Sequence, residues 1–290
     1  MKNKSVTIKR IILFCVLAVV PLCIAVPILN HAYDAPIFTS EKGVAAAYVL
    51  GVFGMFAPSL AAVLTRLITK EGFSDSYLGL NCKGNLRYYL AAVLVKPAEA
   101  LIAMLLICAV LLKLPLADAF SDEQIGQKVA AVLIQFGTSI ILFFPAFGEE
   151  WGWRGYLMPK LMQVMNKPAA IVVGGLIWGL WHAPLTVSGH NFGVDYKGSP
   201  WLGILFMCVL CILMNAFLTL MTERTKSIYP ASFCHMINNN LSPMILLGIF
   251  GSESARMKCI EVTQIRLFAL MLPPIAVTAI ISFCLLLRKK

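Results

Sequence analysis

Three short stretches set ionisable side chains inside runs of residues that are otherwise apolar. They are Glu149-Glu150-Trp151-Gly152-Trp153-Arg154, Trp178-Gly179-Leu180-Trp181-His182 and His235-Met236-Ile237-Asn238-Asn239. An Arg, Lys or Asp at bilayer depth costs roughly 2.5–3.5 kcal/mol on insertion scales, so such residues mark function more often than packing. Two carboxylates, two imidazoles, an amide and a guanidinium together make an inventory for acid–base or metal chemistry.

Helical spacing divides the labour within each stretch. Glu150 and Arg154 are four apart, so they share a face in the favourable order for an ion pair. Glu149 stands about 100° around the helix on the face of Trp153, which frees it to meet a cavity and serve as a general base for water. Trp178 and His182 are one turn apart, so the indole can wall the pocket that holds the imidazole. His235 and Asn239 repeat the spacing, and the amide could orient a water, bind a metal or donate to an oxyanion. His31 and His190 fall in loops and are expected to be solvated. Cys234 diverges from its neighbour His235 by about 100°, which argues against a Cys–His nucleophile. Cys208 and Cys211 form a C-x-x-C inside a continuous apolar run with no second pair, and are expected to act as small hydrophobes.

A membrane bundle must carry these residues. Hydrophobic residues make up 59% and charged residues 13% of the 290, and mean hydropathy is +0.82. A soluble domain is about a quarter charged, so this composition excludes an ordinary soluble core. The expected fold is all-α: a single membrane domain over 1–290, built from about eight transmembrane helices around a polar intramembrane cavity. The apolar runs are Ile11–Leu29, Val44–Ile68, Tyr88–Leu112, Val129–Met162, Ala169–Val187, Trp201–Met221, Ala231–Phe250 and Ile265–Leu287, each near the roughly 20 residues a bilayer needs. Pro159 could kink the long fourth run and Pro184 could loosen the fifth.

With the N-terminus inside, one face receives Lys2, Lys4, Lys9, Arg10, Arg66, Lys70, Lys83, Arg87, Arg154, Lys160, Lys167, Arg224, Lys226, Arg288, Lys289 and Lys290, which is 16 of the 24 basic residues. This positive-inside pattern places both termini in the cytoplasm. The net charge of +10 therefore speaks of topology and anionic lipid headgroups rather than nucleic acid, for which the chain has no motif. The host membrane is expected to be a bacterial cell membrane, and Ile11–Leu29 to be an uncleaved first helix.

Depth can be estimated too. If the fourth helix runs unbroken to Gln163 and the fifth starts at Pro168, about fourteen residues at roughly 1.5 Å each put Glu149 and His182 about 21 Å from the turn, level with each other. His235 lies only a few residues inside its span, nearer the basic face, which favours a site open toward the cytoplasm. Convergence requires the seventh helix beside the fourth and fifth, with the sixth displaced outward.

Glu-Glu-x-x-x-Arg, aromatic-x-x-x-His and His-x-x-x-Asn, in this order on successive membrane helices, resemble the CAAX protease and bacteriocin-processing family, which includes the type II CAAX prenyl endopeptidases and the Abi proteins. The similarity covers residues 130–250, expected to be the catalytic core, with Trp178 standing where many members have Phe. The resemblance implies a helical membrane fold with a cavity open to the cytosol. It also implies a site made of Glu149, Glu150, Arg154, His182, His235 and Asn239. The implied activity is an intramembrane endopeptidase acting on a membrane-associated or lipidated protein or peptide through glutamate-activated water. His235 and Asn239 would stabilise the oxyanion. A Zn²⁺ ion on Glu149, His182 and His235 is chemically sensible, although no H-E-x-x-H signature is present. A proton- or ion-coupled transporter would also carry Glu, His and Asn at mid-membrane, but the chain shows no inverted repeat. A non-catalytic scaffold or immunity protein is the third reading.

Overall fold

The structure, a computed structural model, describes residues 4–114, 125–248 and 262–288. Among them the architecture is all-α, without strands. The helices are α1 (Lys4–Ala32), α2 (Val44–Gly54), α3 (Ala57–Ile68), α4 (Leu86–Leu106), α5 (Ile125–Thr138), α6 (Phe143–Gly152), α7 (Met158–Val164), α8 (Lys167–Trp181), α9 (Ala183–Val187), α10 (Trp201–Thr225), α11 (Tyr229–Gly248) and α12 (Gln264–Leu287). Among the described residues, four stretches are long and apolar enough to cross a membrane: α1, α4 with its extension to Leu112, α10 and α12. The bent pair α2–α3 makes a fifth, broken by 42°.

The expected fourth span is not one plain helix. A 3₁₀ turn at Ser139–Leu142 separates α5 from α6, and a π-turn at Trp153–Leu157 joins α6 to α7. Prolines explain both. Pro145 has no N–H for the carbonyl of residue 141, and Pro159 none for that of Gly155, so the backbone tightens in one place and widens in the other. The π-turn keeps α6 and α7 joined in one helical run, and Pro159 falls in the first turn of α7.

Glycines set the spacing around the site. A Cβ on Gly152 would collide with the Pro58 backbone, so α6 touches α3 there. Gly175 and Gly179 lie against the α10 backbone at Ile212 and Cys208, a small-xxx-small contact that brings α8 and α10 together. Asn215 on α10 then donates to the Ile171 carbonyl of α8 at 2.7 Å. The expectation that the sixth span is displaced outward is overturned. α10 is the central helix, with 67% of its apolar window buried against 22% for α1 and 28% for α12. It is flanked by α8, α11 and α12.

Contacts sort the helix ends onto two faces. Near the termini, Arg10 pairs with Glu71 at 2.8 Å, Arg66 with Asp75 at 2.7 Å and Lys160 with Glu71 at 3.2 Å. Asn81 donates to the Thr225 carbonyl there, and Arg224 to the Leu285 carbonyl. Burial pulls the Asp75 carboxyl up, but the Arg66 hydrogen bond and the charges of Arg66 and Lys160 outweigh it and hold it below the ordinary 3.8. On the opposite face Ser188 donates to Asn30 at 2.6 Å, and Phe38 packs against His190 with ring centroids 4.7 Å apart and planes tilted by 53°.

Candidate active site

The paired carboxylates lie on the last turns of α6 and are fully inside the bundle. Glu150 is 0% exposed and Arg154 1%, with Arg154 Nη1 donating to Glu150 Oε1 at 3.0 Å. The i,i+4 reading of this pair holds in the structure, but the assignment of Arg154 to the basic loop face does not. Arg154 is a core residue whose guanidinium lies 4.1 Å from the centre of the Trp178 ring. His235 supplies a second partner from α11, its Nδ1 2.7 Å from Glu150 Oε1.

Glu149 points the other way and lines the cavity. Two indole N–H groups converge on its Oε2: Trp153 at 3.1 Å and Trp178 at 2.8 Å. Trp178, read as a pocket wall, is therefore also a hydrogen-bond donor to the carboxylate and a platform for Arg154. The i,i+4 relation of Trp153 to Glu149 was legible, whereas the Trp178 bond joins α6 to α8 and has no local signature. Lys96 and Glu99 form a further buried pair at 2.7 Å on α4. Only their K-x-x-E spacing inside an apolar run could have signalled it.

His182 sits at the junction of α8 and α9, where Pro184 begins the next short helix. Its Nδ1 lies 2.9 Å from the Trp178 carbonyl, which can only accept. The Nδ1 of His235 likewise faces a carboxylate. In each neutral ring this commits the Nδ1 proton and leaves the Nε2 lone pair for chemistry. Asn239 is exposed on the same cavity and accepts from Asn238 Nδ2 through its Oδ1 at 3.1 Å, which leaves its own amide N–H groups to donate.

The cavity has a volume of about 910 Å³ and gathers Glu149, Trp178, His182, His235 and Asn239 on one lining. Glu150 and Arg154 stand behind that wall. The remaining lining is mostly apolar, from Tyr48 and Met55 on one side to Met207, Phe268 and Met271 on the other. His190, expected to be a solvated loop residue, lines it too. Burial pushes its imidazole down to about 4, so it is uncharged at neutral pH.

The orienting hydrogen bonds on both histidines are of the kind metal-ligating histidines use. However, no three His, Cys, Asp or Glu side chains among the described residues are gathered closely enough to hold a metal ion. As arranged, Glu149, His182 and His235 do not form a ligating group.

A polytopic helical bundle with a buried carboxylate, two oriented imidazoles and an amide on one apolar cavity defines a class of intramembrane site. The sequence comparisons point to one kind of protein. Residues 131–241 match the family model described as Type II CAAX prenyl endopeptidase Rce1-like. "CAAX prenyl protease 2" of Methanococcus maripaludis is 28% identical over 158 residues, which is 53% of this chain and 55% of that protein. The match thus spans about half the length of each. The similarity to CAAX prenyl endopeptidases first read from the motifs is shown for the segment that carries all six proposed site residues.

Proposed function

We propose that the cavity hydrolyses a peptide bond in a membrane-associated or lipidated protein or peptide. The observation that carries this reading is Glu149. It is a cavity-lining carboxylate held by two indole donors, with two imidazoles and Asn239 on the same wall. Glu149, aided by the His182 Nε2 lone pair, takes a proton from water, and the resulting oxygen attacks the scissile carbonyl. The Asn239 amide donates to the oxyanion. For His235 to donate from Nε2 it must carry both protons, and the Glu150 carboxylate supplies the counter-charge. Glu150 and Arg154 thus act through His235 and Trp178 rather than on the substrate. The proton on Glu149 then passes to the leaving amine. The apolar lining suits a lipid-modified or hydrophobic segment, as the name of the Methanococcus relative suggests, and the setting is a bacterial cell membrane.

The test is release of a cleaved peptide by the purified full chain in liposomes, read by mass spectrometry, with Glu149→Gln as the control. Wild type should cleave and Glu149→Gln should not, while inserting and melting normally. Full turnover by Glu149→Gln sinks the base assignment. Cleavage by neither protein favours a transporter or a scaffold. Metal content of the active preparation, measured beside cleavage before and after chelation, decides whether Zn²⁺ belongs to Glu149, His182 and His235.

A further inference from the structure

One imidazole on the cavity plays no part in the proposed hydrolysis. His190 lies between α9 and α10 and lines the same cavity as Glu149, His182 and His235. The other two rings each commit Nδ1, one to the Trp178 carbonyl and one to Glu150. Neither ring nitrogen of His190 has a hydrogen-bond partner among the described residues, and neither is sealed off by its neighbours. Burial keeps the ring uncharged at neutral pH, and a neutral imidazole offers one donor and one acceptor.

The ring is nonetheless held in place. Ser188, two residues back, is 0% exposed. Its Oγ donates to Asn30 Oδ1 at 2.6 Å and accepts from the Ile37 N–H at 2.9 Å, while its carbonyl accepts from the Phe38 N–H at 3.1 Å. The segment after α1 is thus docked on residues 188–190, and Phe38 packs on the His190 ring. Gly189 allows the approach: its φ is +94°, and a Cβ there would lie 2.6 Å from Thr39 Cγ2. Phe38 would pack equally well on an apolar ring, so packing alone does not call for the two nitrogens.

The lining limits what the ring can meet. Among the described residues it holds one carboxylate, Glu149, and no lysine or arginine. A charged ligand group would be desolvated there without a counter-ion, whereas a peptide group needs only a donor for its C=O and an acceptor for its N–H. We propose that His190 is a substrate-binding residue that hydrogen-bonds a main-chain peptide group of the bound segment, away from the scissile bond. That the segment is a substrate rests on the hydrolase reading; that His190 binds it does not. The five residues of α9, about 7.5 Å of rise, stand between His182 and the loop of His190, so the contact falls beside the reacting carbonyl rather than on it.

The test compares His190→Phe, which keeps a ring against Phe38 without polar atoms, with His190→Asn and His190→Gln, which each return a donor and an acceptor. The full chain in liposomes is given a fluorescent S-farnesyl-cysteinyl tetrapeptide, as free acid and as C-terminal amide. Loss of one hydrogen bond should raise KM about tenfold in His190→Phe, with kcat and Tm unchanged and with free acid and amide affected alike. At least one of the two carboxamide variants should recover most of that loss. A wild-type KM in His190→Phe, a fall in kcat instead, or a loss confined to the free acid overturns the proposal. Binding of the same peptide is followed by anisotropy in the Glu149→Gln protein, with and without His190→Phe. Weakened binding, in a protein whose wild type cleaves nothing, sinks the hydrolase reading and leaves His190 as a ligand-binding residue. Cleavage by wild type with equal binding by both variants sinks the His190 assignment alone, and a peptide neither cleaved nor bound overturns both.

Discussion

Arg154→Ala offers the sharpest test of how the site is supported. The substitution leaves Glu150, which is 0% exposed, without its guanidinium. Breaking a buried pair by removing one partner costs about 3–5 kcal/mol. Two features place this case at the lower end. The pair is joined by one hydrogen bond rather than a fork, with Glu150 Oε2 and Arg154 Nη2 lacking a hydrogen-bond partner among the described residues. Glu150 also keeps His235 at 2.7 Å. A loss of about 3 kcal/mol is expected, or roughly 6–12 °C in Tm at the 2–4 °C per kcal/mol of large domains. The assay is thermal unfolding in detergent of wild type, Arg154→Ala, Arg154→Met, Glu150→Leu and the Glu150→Leu/Arg154→Met double variant. Removing both charges leaves no unpaired buried charge, only the His235 Nδ1 without its acceptor, so the double variant should recover part of the Tm lost by Arg154→Ala while staying inactive, because His235 has lost its counter-charge. Additive losses, with the double variant the least stable of the set, would refute the pairing.

Three further outcomes follow from the same geometry. Trp178→Phe keeps a ring under Arg154 but removes the 2.8 Å indole donor to Glu149. A hydrogen bond to a charged group contributes about 1.5–3 kcal/mol, so kcat should fall roughly 10- to 100-fold at little change in KM, and an unchanged kcat would show the bond to be incidental. Gly175→Ala places a methyl against the Ile212 backbone; the cost should be about 1–3 kcal/mol, read as a lower Tm, and an unchanged Tm would mean that α8 and α10 do not meet so closely. Asp75 titrates below its ordinary 3.8, so its contribution is complete above that value and lost as pH falls below it. Asp75→Asn should therefore lower Tm equally at pH 7 and pH 5, and a gap that closes between them would contradict the Arg66 contact.

What the chain announced in advance was local. Glu150 with Arg154 and Glu149 with Trp153 follow from helical spacing alone, and both are found. The Trp178–His182 relation was visible as well: the two rings stand 6.0 Å apart on the cavity lining, although the bond from the imidazole to the Trp178 carbonyl was not foreseen. What escaped were pairings between helices with no sequence proximity: Trp178 with Glu149, His235 with Glu150, and Asn215 with Ile171. The central place of α10 could have been suspected from Gly175 and Gly179, whose spacing lets a backbone approach, although the partner is not written there. The level-depth estimate treated 149–163 as uniform α-helix, and Pro159 brought a π-turn that the estimate lacked.

Depth by count and burial say different things about His235. His235 lies six residues from the start of α11, near the basic face, which suggested access from there. Access depends on what lies between a residue and water, and below His235 stand Glu150 and Arg154, 0% and 1% exposed, with Trp153 and Tyr156 beside them. The imidazole lines the cavity together with Asn191 and Gln264, which are exposed. A polar residue close to one surface by count can still be shielded from it, when the short route is filled by a desolvated ion pair and packed aromatic rings. The basic residues on the near side then report where that surface faces, and say nothing of where substrate enters.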